Sequence, residues 1–221
     1  MLALYDLAAG PLFAVSLAVF LLGMGWRVLR FLQLAKKADP AALKGFRPAW
    51  ALKSILHWLA PANITARQNP LPTAAGFVFH LGLIATALLS QAHVILWDQA
   101  WNISWWTLPD EVADAFAFAC LGAGAYLIGR RLAQPHVRNL TGGHDWLVLA
   151  LSLAPMLTGV MAYHQWGGQW ADYDTVITLH VLSADLLLLL APFTKLSHVV
   201  LFFVSRAVTG SDFGKRSVGA W

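Results

Sequence analysis

Five long apolar stretches, separated by polar segments, dominate the pattern of hydrophobic and polar positions along the chain. A helix needs about 20 apolar residues to cross a bilayer, and the stretches are continuously apolar, whereas barrel strands alternate. The pattern therefore predicts an all-α integral membrane bundle of five transmembrane helices, at about residues 11–32, 73–97, 112–128, 146–164 and 175–205. We expect residues 1–221 to form a single membrane domain.

The basic residues predict the direction in which this bundle crosses the membrane. All 15 Lys and Arg residues fall at one side: at the end of span one and in the loop after it, between spans three and four, or toward the end of span five and in the tail. On the other side there is no Lys or Arg, and the charged residues are acidic: Asp6, Asp98, Asp110, Glu111, Asp172 and Asp174. Because basic loops stay in the cytoplasm, we expect the N-terminus outside and the C-terminus inside. The positive charge thus indicates topology, and lipid rather than nucleic acid as its partner.

The cytoplasmic loop at residues 33–72 contains a predicted amphipathic helix. Its apolar residues recur at i, i+3, i+4 and i+7 (Leu52, Ile55, Leu56 and Leu59). Pro48 is suited to begin this helix and Pro61 to end it. The helix is expected either to lie on the inner membrane surface or to dock a cytoplasmic partner.

Four tryptophans follow the second span, at positions 97, 101, 105 and 106. Such residues are typical of the aromatic belt at a membrane interface, and the alternative is a wall for a flat apolar ligand. The single Cys120 lies inside span three, which excludes a disulfide framework or a metal site built from cysteines.

Four of the eight histidines lie inside predicted spans, at positions 80, 93, 180 and 198. An ionisable residue within a membrane span is costly and indicates function. Spans two and five run in opposite directions. If they are neighbours, His80 faces His198 near the cytoplasm and His93 faces His180 near the outside.

Two imidazoles at each depth favour two haem b groups, since bis-histidine ligation leaves no open iron position and suits electron transfer. One haem, or histidines that only hydrogen-bond between helices, are the alternatives. An ideal helix turns His93 about 140° away from His80, so His164 at the end of span four is the reserve ligand for the outer haem. The gap from His180 to His198 is about five helical turns, or roughly 27 Å, and Pro192 would kink the helix between them.

Basic residues near the inner histidines are candidates to bind haem propionates. They are Arg130, Arg131, Arg138 and Lys195. Their alternative role is to reach the aqueous interface and fix topology.

Three stretches are similar to a known family, the cytochrome b gamma subunit of respiratory nitrate reductase and its relatives. The first is Phe79-His80. The second is Gly129-Arg130-Arg131-Leu132 with Pro135, Val137-Arg138, Thr141, Gly143 and Asp145. The third runs from Leu179-His180 through Pro192-Phe193-Thr194-Lys195-Leu196 to His198. The resemblance covers spans two to five.

The resemblance implies five helices and two b haems in the bacterial inner (cytoplasmic) membrane. It also implies oxidation of menaquinol or ubiquinol near the outer haem, with electrons passing to a cytoplasmic iron–sulfur subunit. His80, His180 and His198 match the family, but Ser90 stands where the nitrate reductase subunit has its second span-two histidine, and His93 follows three residues later.

In three features the chain resembles relatives from sulfur-metabolising bacteria. They are the displaced histidine, the long first loop, and the opening Tyr5-Asp6 with Gly10-Pro11. In those relatives the membrane cytochrome belongs to the sulfite-reduction-associated complex or to cytochrome c–quinone complexes. The resemblance thus implies an iron–sulfur partner similar to heterodisulfide reductase, and it leaves open an outer c-type cytochrome or further membrane subunits.

A quinone site must open to lipid near one haem, and we expect it beside the outer one. Trp97 and Trp101 are candidates to flank the ring, with Asp98 or the intramembrane Asp185 as proton acceptor. Asp98 could instead be a solvated loop residue, and Asp185 could bond to a neighbouring helix. The rival to this electron-transfer subunit is a haem-free transporter or a membrane-anchor or assembly subunit.

Overall fold

The structure, a computed structural model, describes residues 2–60, 64–168 and 171–218. Within these residues every regular element is a helix and no strand occurs. Five helical segments are long and apolar enough to cross a membrane: Ala3–Ala38, Pro70–Leu89, Asp110–Ala133, Gly143–Tyr163 and Tyr173–Phe193. The prediction of an all-α, five-span membrane protein is confirmed.

Twelve α-helices occur in the described residues. They are α1 (Leu2–Leu7), α2 (Phe13–Ala38), α3 (Pro40–Leu43), α4 (Pro48–Leu59), α5 (Ile64–Gln68), α6 (Pro70–Leu89), α7 (Gln91–Trp101), α8 (Asp110–Ala133), α9 (Pro135–Arg138), α10 (Gly143–Tyr163), α11 (Tyr173–Leu190) and α12 (His198–Lys215). A π-helical turn (Ala8–Leu12) joins α1 to α2, and two 3₁₀ turns (Ala191–Phe193 and Lys195–Ser197) separate α11 from α12.

Two of the predicted spans are interrupted. The expectation of one continuous helix over 73–97 is wrong, whereas the interruption within 175–205 falls where a kink at Pro192 was expected. In the first, Ser90 is extended (φ −67°, ψ 135°) between α6 and α7. In the second, the helix ends at Leu190 and Thr194 is extended (φ −119°, ψ −177°). The Thr194 hydroxyl then accepts a hydrogen bond from the Leu196 backbone N–H at 3.3 Å, which starts the turn leading into α12.

The chain forms two compact units, Met1–Ala9 with Pro70–Ala184, and Gly10–Asn69 with Asp185–Trp221. In the first unit α6, α8 and α10 pack around a small apolar core. Gly82 lets α6 approach α8 closely, since a Cβ there would lie 2.7 Å from the Cβ of Cys120. The Cys120 thiol donates to the Phe79 carbonyl at 3.3 Å, which ties the same two helices together.

In the second unit α2 lies beside the chain that follows α11. A Cβ on Gly23 would lie 2.6 Å from the Cβ of Pro192, and the Arg27 guanidinium donates to the Ser197 hydroxyl at 3.2 Å. Residue numbers rise together along both segments, so the segments run parallel. This is the relation required of the first and last of five consecutive membrane crossings.

Helix α4 occupies the position of the predicted amphipathic helix, and Pro61, its expected end, lies outside the described residues. Ala51 and Ser54 are buried, whereas the leucines of the predicted apolar stripe are exposed: Leu52, Leu56 and Leu59. The stripe therefore faces outward from the second unit, as both the membrane-surface and the docking interpretations require.

The buried side of α4 packs against α12. Gly210 and Gly214, four residues apart, leave one face of α12 without side chains and so allow close helix contact. The contact is close enough that a Cβ on Gly210 would lie 2.7 Å from the Trp50 carbonyl oxygen. The Ser211 hydroxyl also accepts from the Arg47 backbone N–H at 2.8 Å. It thereby satisfies a donor at the start of α4 that the helix itself leaves unpaired.

Candidate functional site

The structure brings His93 and His180 together inside the first unit. Their ring centres lie 5.9 Å apart and their planes differ by only 5°. His93 is in the first turn of α7 and His180 is near the middle of α11. The predicted neighbours of the outer site are therefore adjacent in space.

Each of these rings is oriented by a backbone carbonyl. His93 Nδ1 contacts the Thr86 carbonyl oxygen at 3.0 Å, and His180 Nδ1 contacts the Pro155 carbonyl oxygen at 3.0 Å. A carbonyl only accepts, so Nδ1 carries the proton in each neutral ring and Nε2 carries the lone pair.

Gly159 makes the space for the His180 ring against α10. A Cβ at that position would lie 3.0 Å from Cε1 and 3.2 Å from Nδ1 of His180. The Thr158 hydroxyl lies 3.4 Å from the same Nδ1. Helix α10 therefore holds this imidazole through a small residue and two acceptor groups.

The interruption at Ser90 explains how His93 reaches His180 despite the unfavourable angle predicted for one continuous helix. The extended Ser90 residue starts a new helix, so the angular relation between His80 and His93 no longer follows the ideal helical period. The Ser90 hydroxyl donates to the Thr86 carbonyl at 2.7 Å, the same acceptor that His93 uses.

The break leaves backbone carbonyls of α6 without their helical donors, and the following loop supplies replacements. The Trp105 indole N–H donates to the Leu88 carbonyl at 2.7 Å, and the Leu108 backbone N–H donates to the Leu89 carbonyl at 2.9 Å. Without these donors each carbonyl would lose a hydrogen bond, at a cost of about 0.5–1.5 kcal/mol. Trp105 thus stabilises the break that sets the position of His93.

His80 and His198 show the same orientation of the ring. His80 Nδ1 contacts the Gly76 carbonyl oxygen at 2.7 Å, and His198 Nδ1 contacts the Lys195 carbonyl oxygen at 2.9 Å. Both side chains are exposed. His80 belongs to the first unit and His198 to the second, and their pairing stays a prediction.

These features fit a haem iron. Metal–imidazole bonds are about 2 Å long, so an iron between two Nε2 atoms separates the ring centres by about 6 Å, close to the 5.9 Å observed for His93 and His180. Metal-bound histidines usually donate their other N–H to a carbonyl or carboxylate, and all four span histidines have Nδ1 on a carbonyl. No group of three or more His, Cys, Asp or Glu side chains suited to a metal ion occurs in the described residues. A haem needs only two protein ligands.

The basic residues proposed for propionates are placed as follows. Arg131 donates to the Leu127 carbonyl of its own helix at 3.0 Å, while the Arg130 Nε is buried and has no hydrogen-bond partner in the described residues. Arg138 and Lys195 are exposed, and Lys195 orients His198 through its carbonyl.

The tryptophans proposed for the quinone site form one cluster. Trp97 lies 4.6 Å from Trp101 and 5.9 Å from Trp105 between ring centres. Trp101 and Asp98 are exposed. The cluster packs on the loop that seals the helix break, so part of its role is structural.

Asp185 is buried in the second unit, with 1% of its surface exposed. The Ser16 hydroxyl of α2 lies beside the carboxyl, without a hydrogen bond of good geometry to it or to any other described residue. The carboxyl is therefore buried without the hydrogen bond that the alternative for Asp185 expected, and its role as a proton acceptor stays a prediction.

His164, the reserve ligand, is directed elsewhere. Its Nε2 lies 2.9 Å from Asp114 Oδ1, and its ring stacks on Trp166 at 4.8 Å. The geometry therefore favours His93 as the partner of His180. Asp114 was not singled out in the sequence, although a carboxylate inside span three is the kind of signal that marks function.

The fold and these sites define a multi-pass membrane protein with oriented histidines inside its spans. No protein-family model matches the chain. A protein of Nitratidesulfovibrio vulgaris (strain Hildenborough), named "Protein", is 36% identical over 222 residues, which cover 98% of this chain and 96% of its own length. The chain belongs to the same family as that protein. That name states no activity.

Proposed function

We propose that the chain is a dihaem cytochrome b subunit that passes electrons between membrane quinone and a cytoplasmic iron–sulfur subunit. The observation that carries the proposal is the parallel His93–His180 pair at 5.9 Å, with each Nδ1 on a backbone carbonyl. Bound haem supplies a one-electron carrier. The chain holds each imidazole in one tautomer and surrounds it with apolar helices.

In this proposal His93 and His180 serve the outer haem, and His80 and His198 serve the inner one. Arg130, Arg131 and Lys195 are the proposed partners of the propionates. The chain resides in the bacterial cytoplasmic membrane with its N-terminus outside. The basic loops then face the cytoplasm, where α4 and the inner haem would meet the iron–sulfur partner.

A visible difference spectrum of the purified protein tests the proposal. Reduced-minus-oxidised spectra should show a b-type α-band, and pyridine haemochrome analysis should give two haems per chain. One haem per chain, or none, contradicts the dihaem assignment, and a haem-free transporter or anchor subunit would show no such band.

Histidine variants test the pairing. His93→Ala and His180→Ala should remove the same spectral component, and His80→Ala and His198→Ala should remove the other. His136→Ala, at an exposed position of the short helix α9, is the control and should keep both. Loss of the same component in His198→Ala and His180→Ala would contradict the pairing.

Purification in mild detergent tests the partner. An iron–sulfur protein should accompany the chain, and substitution of the exposed Leu52, Leu56 and Leu59 by serine should release it if α4 docks that protein. Repeated isolation of the chain alone would count against a stable cytoplasmic partner.

A further inference from the structure

A second interacting pair of titratable side chains lies at the end of the first unit where α8 begins and α10 ends. His164 Nε2 and Asp114 Oδ1 are 2.9 Å apart, and their side chains are 27% and 24% exposed. The contact joins two neighbouring helices, yet both groups remain accessible from outside the unit.

The hydrogen bond sets which nitrogen of His164 can accept a proton. The Asp114 carboxylate accepts from Nε2–H, so the neutral ring carries its lone pair on Nδ1. Among the described residues no hydrogen bond ends on that nitrogen, because His164 contacts its other neighbours through ring faces and edges. A carboxylate that orients a histidine whose other nitrogen is accessible is the arrangement of a general base.

Aromatic side chains surround this base. Trp166 stacks on the imidazole with ring centres 4.8 Å apart and planes 19° apart. Phe118 lies 5.6 Å from the imidazole and 6.0 Å from Trp166. Trp166 and Phe118 are 56% and 41% exposed, so they present two exposed aromatic rings, tilted 48° to each other, next to the imidazole.

Along α10 the base is little more than one helical turn from the residue that packs against the His180 ring. Gly159 of α10 packs against the His180 ring. His164, which caps the end of α10, follows Gly159 by five residues. Ideal helix geometry makes that separation roughly 7.5 Å along the helix axis and about 140° around it. The start of α8 supplies Asp110, and we expect no basic side chain on this side of the membrane.

We propose that His164 and Asp114 form the proton-accepting dyad of a hydroquinone oxidation site, with Trp166 and Phe118 as the aromatic wall. This inference rests on the proposed function and specifies its quinone site. A hydroquinone O–H bond breaks, its proton passes to Nδ1 of His164, and its electron pair stays on the quinol oxygen. The quinone is formed once the second proton has passed to the outer aqueous phase and two electrons have left the ring one at a time. Haem held by the proposed histidine pairs would be the acceptor of those electrons.

The variants are chosen to separate a base from a structural link between helices. Asp114→Asn keeps an oxygen that can accept from Nε2 but removes the charge that stabilises a protonated ring. His164→Gln keeps a polar group but removes the base. The matched controls are Glu111→Gln, an exposed acidic residue one turn before Asp114, and His136→Gln, an exposed histidine of the short helix α9.

The first measurement is the rate of haem reduction by a short-chain hydroquinone, alongside reduction by dithionite. General base catalysis contributes about 10²–10⁴-fold. We therefore expect His164→Gln and Asp114→Asn to slow quinol-driven reduction at least tenfold, with dithionite reduction and both controls unchanged. Wild-type rates in both variants would overturn the dyad while leaving the cytochrome assignment intact.

The second measurement does not depend on haem reduction. A naphthoquinone analogue should quench tryptophan fluorescence saturably, with much of the change lost in Trp166→Phe and with binding weakened about fivefold in His164→Gln, the effect of one lost hydrogen bond. If the protein contains no haem, the proposed function fails and this binding alone decides the site. Binding that is unaffected by both substitutions would overturn the inference.

Discussion

Substituting Gly159 by alanine tests whether the His180 ring is held against α10 as a haem ligand. A Cβ at Gly159 would lie 3.0 Å from Cε1 of His180, where ordinary contacts begin at 3.4 Å. The ring must therefore retreat by about 0.4 Å, the difference between the two distances. A retreat of that size lengthens the contact from His180 Nδ1 to the Pro155 carbonyl, now 3.0 Å, to the limit of a useful hydrogen bond.

The size of the effect follows from that hydrogen bond. One such bond contributes about 0.5–1.5 kcal/mol, and a one-electron couple shifts about 59 mV for each tenfold change in equilibrium constant. We expect the midpoint potential of one haem to shift by about 20–60 mV in Gly159→Ala. The direction is upward, because an Nδ1–H donated to a carbonyl makes the imidazole a stronger donor to ferric iron, and the variant weakens that donation.

A redox titration followed in the α-band measures this shift, and Gly122→Ala is the matched control. Gly122 also lies within a helix, α8, but a Cβ there meets no atom within 4 Å. Alanine is favoured over glycine in a helix by about 1 kcal/mol, so the control should melt slightly higher and keep both midpoint potentials. Gly159→Ala should raise the melting temperature less than Gly122→Ala does, because the close contact between the new Cβ and His180 offsets the helical preference for alanine.

Two results would refute the reasoning. Gly159→Ala could have the same midpoint potentials as the wild type and Gly122→Ala. That result would show that the His180 ring, which packs against Gly159, is not a haem ligand. A shift confined to the component lost in His198→Ala would show that His180 serves the other haem.

Three further predictions concern the loop, the second unit and pH. Trp105→Phe removes the donor to the Leu88 carbonyl. It should lower the free energy of unfolding by about 1 kcal/mol and broaden the spectrum of the outer haem. An unchanged melting curve would contradict the role of the indole. Gly214→Leu places a side chain against Trp50 and should expose α4 to limited proteolysis while leaving the His93–His180 component intact; equal protection of α4 in wild type and variant would contradict the packing. Hydrogen bonds from the Thr175 hydroxyl and backbone N–H lower the pKa of Asp172, so its contribution to stability is present above the unfolded pKa and lost as pH falls through the lower folded value. Asp172→Asn should therefore destabilise the protein at neutral pH and less in acid, and a pH-independent difference in melting temperature would contradict this.

The five spans could be predicted from the sequence because length and continuous apolarity decide whether a helix crosses a bilayer. Helix α4 was predictable for a similar reason, since a proline and a helical apolar period mark its start. The breaks inside spans two and five were harder to predict. Pro192 indicated a kink, but Ser90 is not a strong helix breaker, and its extended conformation depends on donors from Trp105 and Leu108 in the following loop.

The same limit applies to the site. The depths of His93 and His180 indicated a pair, whereas extrapolating one ideal helix from His80 made His93 a poor partner. The carbonyls that orient the rings could not be predicted, because Pro155 is 25 residues from His180 along the chain. Asp114 and His164 are 50 residues apart, and no local spacing relates them.

The contact between α4 and α12 has a consequence for how the protein is made. Arg47 and Ser211, which hydrogen-bond across this contact, are 164 residues apart. At a synthesis rate of about 5–20 residues per second, the ribosome needs roughly 8–33 s to produce the second after the first. During that interval the earlier segment has emerged without the helix that buries its inner face. The nascent chain must therefore keep α4 shielded, at the membrane surface or by a chaperone, until the last helix arrives.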